Sequence, residues 1–258
     1  MVVASWRLIA ALLCIMLLCG FDKPAKGRSF YEQRGDIIWE LPMAKKDIAL
    51  TFDDGPSPKA TEEILDLLKE YNAKATFFVL GHRVKQFPDI IKRELAEGHE
   101  VANHTFHHVF FTKGVNPATV QKEIVSTGDS LIELTGRKPQ LFRPPGGYYN
   151  EQTVEIAKKL GYTTVLWSWH QDTEDWRSPG VGFIIRKVLN NARSGDIVLL
   201  HDYVTGNIHT VKALRVILPE LARRGYRFVT VSELINDKAK EMINMGEGGV
   251  IHGTEVHP

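Results

Sequence analysis

From Asp47 onward, short apolar runs alternate with stretches of helical period. The runs Asp47–Phe52, Ala75–Leu80, Glu100–Asn103, Gln140–Phe142, Tyr162–Trp169, Asp196–Leu200 and Tyr226–Val231 predict strands. The stretches Thr61–Tyr71, Asp89–Glu97, Ala118–Leu134, Glu151–Leu160, Phe183–Ala192 and Val211–Arg224 predict helices. In the first of these, Ile64, Leu65, Leu67 and Leu68 fall on one face. Gly98, Gly136, Gly161 and Gly225 stand just past predicted helices, where a C-cap favours glycine. Strands alternating with helices imply βαβ units and a parallel sheet. Seven or so strands in about 190 residues predict one α/β domain over residues 46–235, a closed or nearly closed TIM-like (β/α) barrel. Periodicity alone also admits a doubly wound sheet.

The ends of the chain read differently. Arg7 precedes an unbroken apolar run from Leu8 to Cys19, the grammar of a secretory signal. The run is short for a membrane-spanning helix, which needs roughly 20 apolar residues. Residues 1–20 are therefore expected to direct export, either cleaved or kept as an N-terminal membrane anchor; a buried core helix is the plainer alternative. Residues 21–45 carry little periodicity and read as a linker or N-terminal extension. Residues 236–258, with Gly246, Gly248 and Gly249, read as a loose tail whose His252 and His257 are incidental.

Lys+Arg 32 against Asp+Glu 31 leaves a formal charge of +1, so no basic excess argues for nucleic acid. Both cysteines, Cys14 and Cys19, lie in the N-terminal run. The remaining domain has neither disulfide nor thiolate to use, and a metal site in it must be built from His, Asp or Glu. No feature of the sequence specifies an oligomer.

The polar residues fall at strand ends. Asp53 and Asp54 end the first strand, His104 and His108 follow the third, and Arg143 ends the fourth. Asp172 and Asp175 follow the fifth, and His201 and Asp202 end the sixth. In a parallel barrel or sheet these positions share the carboxyl-end face, where active sites are built. Helix capping would explain one or two of the aspartates, but not the histidines or the arginine. His104 and His108 are four apart, which on a helical turn puts both imidazoles on one side, as a divalent metal requires. Adjacent aspartates point different ways, so one of Asp53 and Asp54 can ligate while the other acts as base. His107 is expected to be structural.

Five segments carry a resemblance. Thr51-Phe52-Asp53-Asp54-Gly55, His104-Thr105-Phe106-His107-His108, Arg143-Pro144-Pro145-Gly146, Asp172-Thr173-Glu174-Asp175-Trp176 and Leu199-Leu200-His201 resemble, in order, the motifs of the polysaccharide deacetylases of carbohydrate esterase family four, the NodB-homology domain. The resemblance runs from about Asp47 to Leu234. It implies a distorted (β/α) barrel that removes acetyl groups from N-acetylglucosamine-type sugars. By motif position, Asp53 resembles the general base, and Asp54, His104 and His108 the ligands of a divalent metal, Zn²⁺ before Co²⁺. Arg143 resembles the residue holding the base, Asp175 the carboxylate tuning the catalytic histidine, and His201 the general acid. Trp176 and Leu199 resemble the apolar walls around the acetyl methyl. The third motif usually carries an aromatic residue where this chain has Gly146. The Gly146 N–H remains available for an oxyanion, but the aromatic wall is missing unless Tyr148 swings in.

The implied partner is a polysaccharide, peptidoglycan before chitin oligomers, because a short export signal without an appended binding domain suits an enzyme at its own cell envelope. The motifs do not separate amide from ester, so an acetylxylan O-deacetylase of the same fold is a rival. A catalytically dead carbohydrate-binding protein is a second rival, opposed by the presence of every acid, base and ligand position. A zinc peptidase is opposed by the lack of an H-E-x-x-H segment.

Overall fold

The protein is described from a computed structural model over residues 26–204 and 209–246. Its strands are β1 (Ile37–Ile38), β2 (Asp47–Asp53), β3 (Ala75–Val79), β4 (Glu100–Asn103), β5 (Leu141–Phe142), β6 (Thr163–Val165), β7 (Ile197–His201) and β8 (Arg227–Phe228). The helices are α1 (Arg28–Gln33), α2 (Ala60–Glu70), α3 (Gly81–Gln86), α4 (Pro88–Ala96), α5 (Pro117–Thr135), α6 (Glu151–Lys159), α7 (Val181–Asn191), α8 (His209–Arg223) and α9 (Val231–Asn244). The sheet order is β1-β6-β5-β4-β3-β2-β7, every pair parallel, with β8 paired to the start of β2. This is the expected α/β distorted barrel.

Two-residue alternation sorts β2 and β3 between layers. Leu50, Phe52 and Phe77 face the helices, packing with Leu65, Leu68, Leu214 and Leu218. Ala49, Phe78, Ala102, Val165 and Ile197 fill the inside. Thr51 and Asp53 share the inward parity of Ala49, which aims their side chains at the barrel axis. Register then sets the mouth: Asp53 lies opposite both Phe78 and His201, and Asn103 lies opposite Phe142.

The barrel is distorted because β1 and β7 do not pair. Irregular chain closes the gap. The Ser168 N–H donates to the Ile197 carbonyl at 3.0 Å, and Asp172 bridges Leu199 in parallel. On the other side the Leu41 N–H donates to the Gly195 carbonyl at 2.9 Å. Gly195 has φ +89°, and a Cβ there would lie 1.9 Å from the Leu41 oxygen, so only glycine admits this approach.

Three expectations are corrected. Residues 21–45 are not all linker: α1 and β1 lie within them, and Tyr31, Ile37 and Trp39 are buried in a cluster with Val154 and Leu166. A two-residue strand is too short to show a period. The strand expected over Tyr162–Trp169 ends at Val165, because the chain leaves β6 to cross towards β7. The tail does not start at 236, since α9 runs to Asn244. Thr230 caps this helix by accepting from the Glu233 N–H at 3.1 Å, and the Thr-x-x-Glu spacing was its signal. The six-residue α3 went unpredicted. The N-terminal apolar run, His252 and His257 lie outside the described residues. Among the described residues no helix is long and apolar enough to cross a membrane.

Phe77 is fully buried and stacks on Phe52 with ring centres 5.1 Å apart. Phe77→Ala should lower unfolding stability by about 3–5 kcal/mol in urea titration. A loss under about 1 kcal/mol would mean the sheet–helix layer is not packed as described.

Candidate active site

The site is assembled at the carboxyl ends of β2, β4, β5 and β7. Asp53 ends β2 and is buried. Asp54 follows in a left-handed conformation, φ 76°, which turns its carboxylate away from that of its neighbour. Behind it, Gly55 leaves room for Asp202: a Cβ at Gly55 would fall 2.0 Å from Asp202 Oδ2. That oxygen accepts from Thr61 Oγ1 at 2.6 Å, and the Asp202 N–H donates to the Asp53 carbonyl at 3.2 Å. Burial, reinforced by the Asp54 carboxylate, pushes Asp202 up to about 7. Its carboxyl is only partly ionised at neutral pH, and it buttresses the turn.

His104 and His108 come together without a helical turn, which corrects the expected geometry. They sit in an irregular loop after β4, with Thr105 at φ 72° and His108 at φ 60°. Such backbone is held by surrounding bonds. Asn103 Oδ1 accepts from the Thr105 N–H at 2.9 Å. Glu123 on α5 accepts from the N–H groups of Phe106 and His107 at 3.0 and 2.7 Å and bonds the His107 ring at 2.9 Å. His107 is thus an anchor for the loop.

Three potential ligand atoms then converge. His104 Nδ1 lies 2.7 Å from the Arg143 carbonyl, which can only accept, so Nδ1 carries the proton and Nε2 presents a lone pair. His104 Nε2 is 3.5 Å, and His108 Nε2 3.1 Å, from Asp54 Oδ1. Burial lowers the pKa of both imidazoles, favouring neutral rings. Asp54 Oδ1 is itself buried and has no hydrogen-bond partner. One carboxylate oxygen and two ring nitrogens, all within 4.8 Å of one another, form a donor set that fits a divalent cation.

Arg143 is fully buried beneath them. Its Nη1 donates to Asp53 Oδ1 at 2.7 Å and Thr51 Oγ1 at 2.8 Å, and its Nη2 donates to the Leu166 carbonyl at 2.8 Å. Asp53 Oδ1 is thereby occupied, and Oδ2 is left facing His104 Nε2 at 3.6 Å. Across β7, His201 Nδ1 bonds Asp175 Oδ1 at 2.7 Å. Asp175 Oδ2 accepts from the His201 N–H at 2.8 Å and from Thr210 Oγ1 at 2.6 Å. Burial alone would lower the His201 pKa, but the Asp175 carboxylate overcomes it and raises it to about 9. His201 is a cation at neutral pH, with Nε2 as the nitrogen that can present a proton.

The other expected residues lie around this centre. Leu199 is buried in β7, its carbonyl bonded by Thr173 Oγ1 at 2.7 Å. Trp176 is half exposed, with the Arg177 guanidinium 4.5 Å from its ring centre. Gly146 has φ 61°, and Tyr148 stands exposed beyond it. Sequence reasoning missed three contributors: Thr51, Thr210 and Phe110, whose ring lies 5.0 Å from that of His108. Thr51 lies in a quoted motif with inward parity, so its role was recoverable; Thr210 and Phe110 carried no local signal. A second group of potential ligands, Glu40, His170 and Asp196, has a different character. Asp196 accepts from His170, Gln171 and the Arg193 N–H, and Glu40 pairs with Arg28, so these bonds pin the closing segments together.

Known proteins resemble this chain in sequence and fold. The family model described as polysaccharide deacetylase matches residues 40–165. The chain is 50% identical over 211 residues to a peptidoglycan-N-acetylglucosamine deacetylase of Bacillus cereus, covering 82% of this chain and 98% of that one. Among solved structures it is similar to a peptidoglycan N-acetylglucosamine deacetylase in complex with a naphthalenyl N-oxidanyl-benzamide, with a TM-score of 0.76, 37% identity, and coverage of 81% and 96%. A family 4 acetyl xylan esterase from Clostridium thermocellum in complex with a cobalt ion gives a TM-score of 0.69 at 35% identity, covering 75% and 92%. A pseudoenzyme of the same family from Bacillus anthracis gives 0.70 at 28% identity, covering 77% and 68%. Identical at half of the aligned positions to a relative that it spans almost end to end, the chain belongs to the polysaccharide deacetylase family.

Proposed function

We propose that the protein is a metal-dependent N-deacetylase of N-acetylglucosamine residues in peptidoglycan, with chitin oligomers as the second substrate class. The observation that carries this reading is the convergence of Asp54 Oδ1, His104 Nε2 and His108 Nε2 within 4.8 Å of one another, with Asp54 Oδ1 buried and unbonded, beside a carboxylate and a cationic imidazole. The named activity of the relative at 50% identity favours peptidoglycan and the amide over the ester. The apolar N-terminal run, read as an export signal, would place the enzyme at the cell envelope, where that polymer lies.

A divalent ion held by Asp54, His104 and His108, Zn²⁺ or Co²⁺, would polarise the acetamide carbonyl and acidify a water molecule. The chain supplies the rest. Asp53 Oδ2 takes a proton as water oxygen bonds to the carbonyl carbon, while Arg143 holds Oδ1 and fixes the carboxylate's orientation. The Gly146 N–H donates to the developing oxyanion. The carbon–nitrogen bond then breaks, and His201 Nε2 delivers a proton to the departing amine. Asp175 keeps His201 charged and turned for that transfer. The products are acetate and a glucosamine-type amine. Leu199 and Trp176 are assigned to the walls around the acetyl methyl.

Metal removal gives the first test. Chelation should abolish acetate release from peptidoglycan, and Zn²⁺ or Co²⁺ should restore it with one ion bound per chain. Full activity in rigorously metal-free protein would sink the reading.

Asp53→Asn should lower kcat by about 100- to 10,000-fold while the ion stays bound; Asp54→Asn should lose the ion. Metal analysis of both variants distinguishes this from the reverse assignment of the two aspartates.

His201→Ala should cost about 100- to 10,000-fold on the amide, whose amine leaves only when protonated, and much less on an aryl acetate. The His201 proton is present below its raised pKa and is lost as pH rises through about 9, so amide turnover should fall on that alkaline limb. Asp175→Asn should move the limb to lower pH. Equal losses on both substrates, in step with melting temperature, would show His201 to be structural only.

A further inference from the structure

The third motif lacks its usual aromatic residue, and the space beside it is not empty. A Cβ built on Gly146 would lie 2.8 Å from Phe110 Cε1 and 3.0 Å from two ring atoms of Tyr148. Real carbon–carbon contacts do not come that close, and the φ of 61° adds strain for any other residue. Gly147 repeats the arrangement: at φ 68°, its Cβ would lie 2.8 Å from the Trp167 ring. A side chain at 146 or 147, on left-handed backbone, would have to displace these rings.

Two of those rings are exposed. Phe110 is 47% and Tyr148 52% accessible. They meet edge to face, 5.6 Å apart at 87°. Phe110 also packs edge to face on His108, 5.0 Å apart at 77°. An unbroken path of ring contacts thus runs from a cation-site imidazole to the protein surface. The loop carrying Phe110 is the one that Glu123 and Asn103 hold, so the path is anchored at its inner end. Adjoining exposed aromatics at the rim of a polar site mark a binding surface more than a packing accident.

Resting on the deacetylase reading, we infer that Phe110 and Tyr148 form a sugar-stacking platform that seats the polymer residue adjoining the one that loses its acetyl group. A pyranose ring carries a face of C–H groups with partial positive charge, which matches the negative face of an aromatic ring. The pair abuts Gly146, whose N–H is assigned to the acetyl oxyanion, and runs outward from His108 to exposed surface, so its outer end bears on the flanking polymer. Phe110 is thereby assigned as a substrate-binding residue, and Gly146 as the position whose missing side chain makes room for the pair.

The test uses the metal-loaded protein with the N-acetylglucosamine pentamer, measuring acetate release and, separately, binding by calorimetry. Tyr148→Ala and Phe110→Leu should each raise KM and Kd for the pentamer about 10-fold, with kcat changed by less than about 2-fold. Tyr148→Trp should keep KM near that of the parent protein. On an aryl acetate, which has no second sugar, the losses should be much smaller. Metal analysis of Phe110→Leu checks that His108 still ligates; Tyr148→Ala, which does not touch His108, stands if it does not. Unchanged KM and Kd in an active protein would overturn the platform and leave the deacetylase reading intact. If the parent protein releases no acetate, that reading fails, and calorimetry alone decides. Pentamer binding lost in Tyr148→Ala supports the platform, whereas equal binding, or no binding by the parent protein, overturns it.

Discussion

The Arg143 guanidinium has no exposed surface, and the mouth of the barrel is arranged around it. A buried cation is tolerated only where its donors are matched and its charge is answered. Asp53 answers the charge. Thr51 and the carbonyls of Val165 and Leu166 take up other donors, and the Phe78 ring lies 4.0 Å from the guanidinium carbon. These partners sit on β2, β3 and β6, while Arg143 itself follows β5. Its own carbonyl receives His104 Nδ1 from the loop after β4. One residue therefore fixes the spacing of five strand ends, the orientation of the Asp53 carboxylate and the tautomer of His104. Truncating the Arg143 side chain would strand Asp53 as an unpaired buried carboxylate, while the backbone carbonyl that holds His104 would remain.

Electrostatics divide the same residue types into opposite states. His104 and His201 are both buried histidines bonded through Nδ1. The partner of His104 is a neutral carbonyl, so desolvation wins and its pKa falls. The partner of His201 is a carboxylate with two further donors on it, so attraction outweighs desolvation and the pKa rises to about 9. One ring offers a lone pair and the other a proton. The aspartates are divided likewise. Burial and the neighbouring Asp54 carboxylate raise Asp202, while the His201 cation and three hydrogen bonds lower Asp175 against its burial. These differences come from single contacts across the barrel, each set by the parallel register.

That dependence on register explains what the sequence could and could not disclose. Strand β4 was read at its true ends, and α5 within one residue of each end, because both have clear periodicity and flanking stop signals. The ring of polar residues after apolar strands was visible because a parallel barrel sends every such position to one face. The pairing of His104 with His108 was anticipated for the wrong reason. Helical spacing suggested it, whereas two left-handed residues and the Glu123 anchor produce it. Thr210 bonds Asp175 from 35 residues away, and Glu123 reaches His107 from 16. No local pattern encodes such contacts. The short elements α1, β1 and α3 escaped because two to six residues hold too little periodicity to stand out.

The glycines of the third motif show how a departure at one position is balanced at another. Taken alone, Gly146 removes an aromatic side chain from the rim and weakens the case for sugar binding. In the folded chain it is one side of an exchange: Phe110 and Tyr148 occupy the volume that a side chain at 146 would need. The backbone N–H, which the reaction needs, is independent of the side chain and survives the exchange. Part of the aromatic surface moves from the motif to the loop of His104 and His108, so its position is coupled to that of His108. A shift of His108 would therefore displace Phe110, and a sugar pressing on Phe110 would bear on the ligand ring. Phe110 of the proposed platform and His104 and His108 of the candidate cation site share one loop, and Glu123, which holds that loop, bears on both.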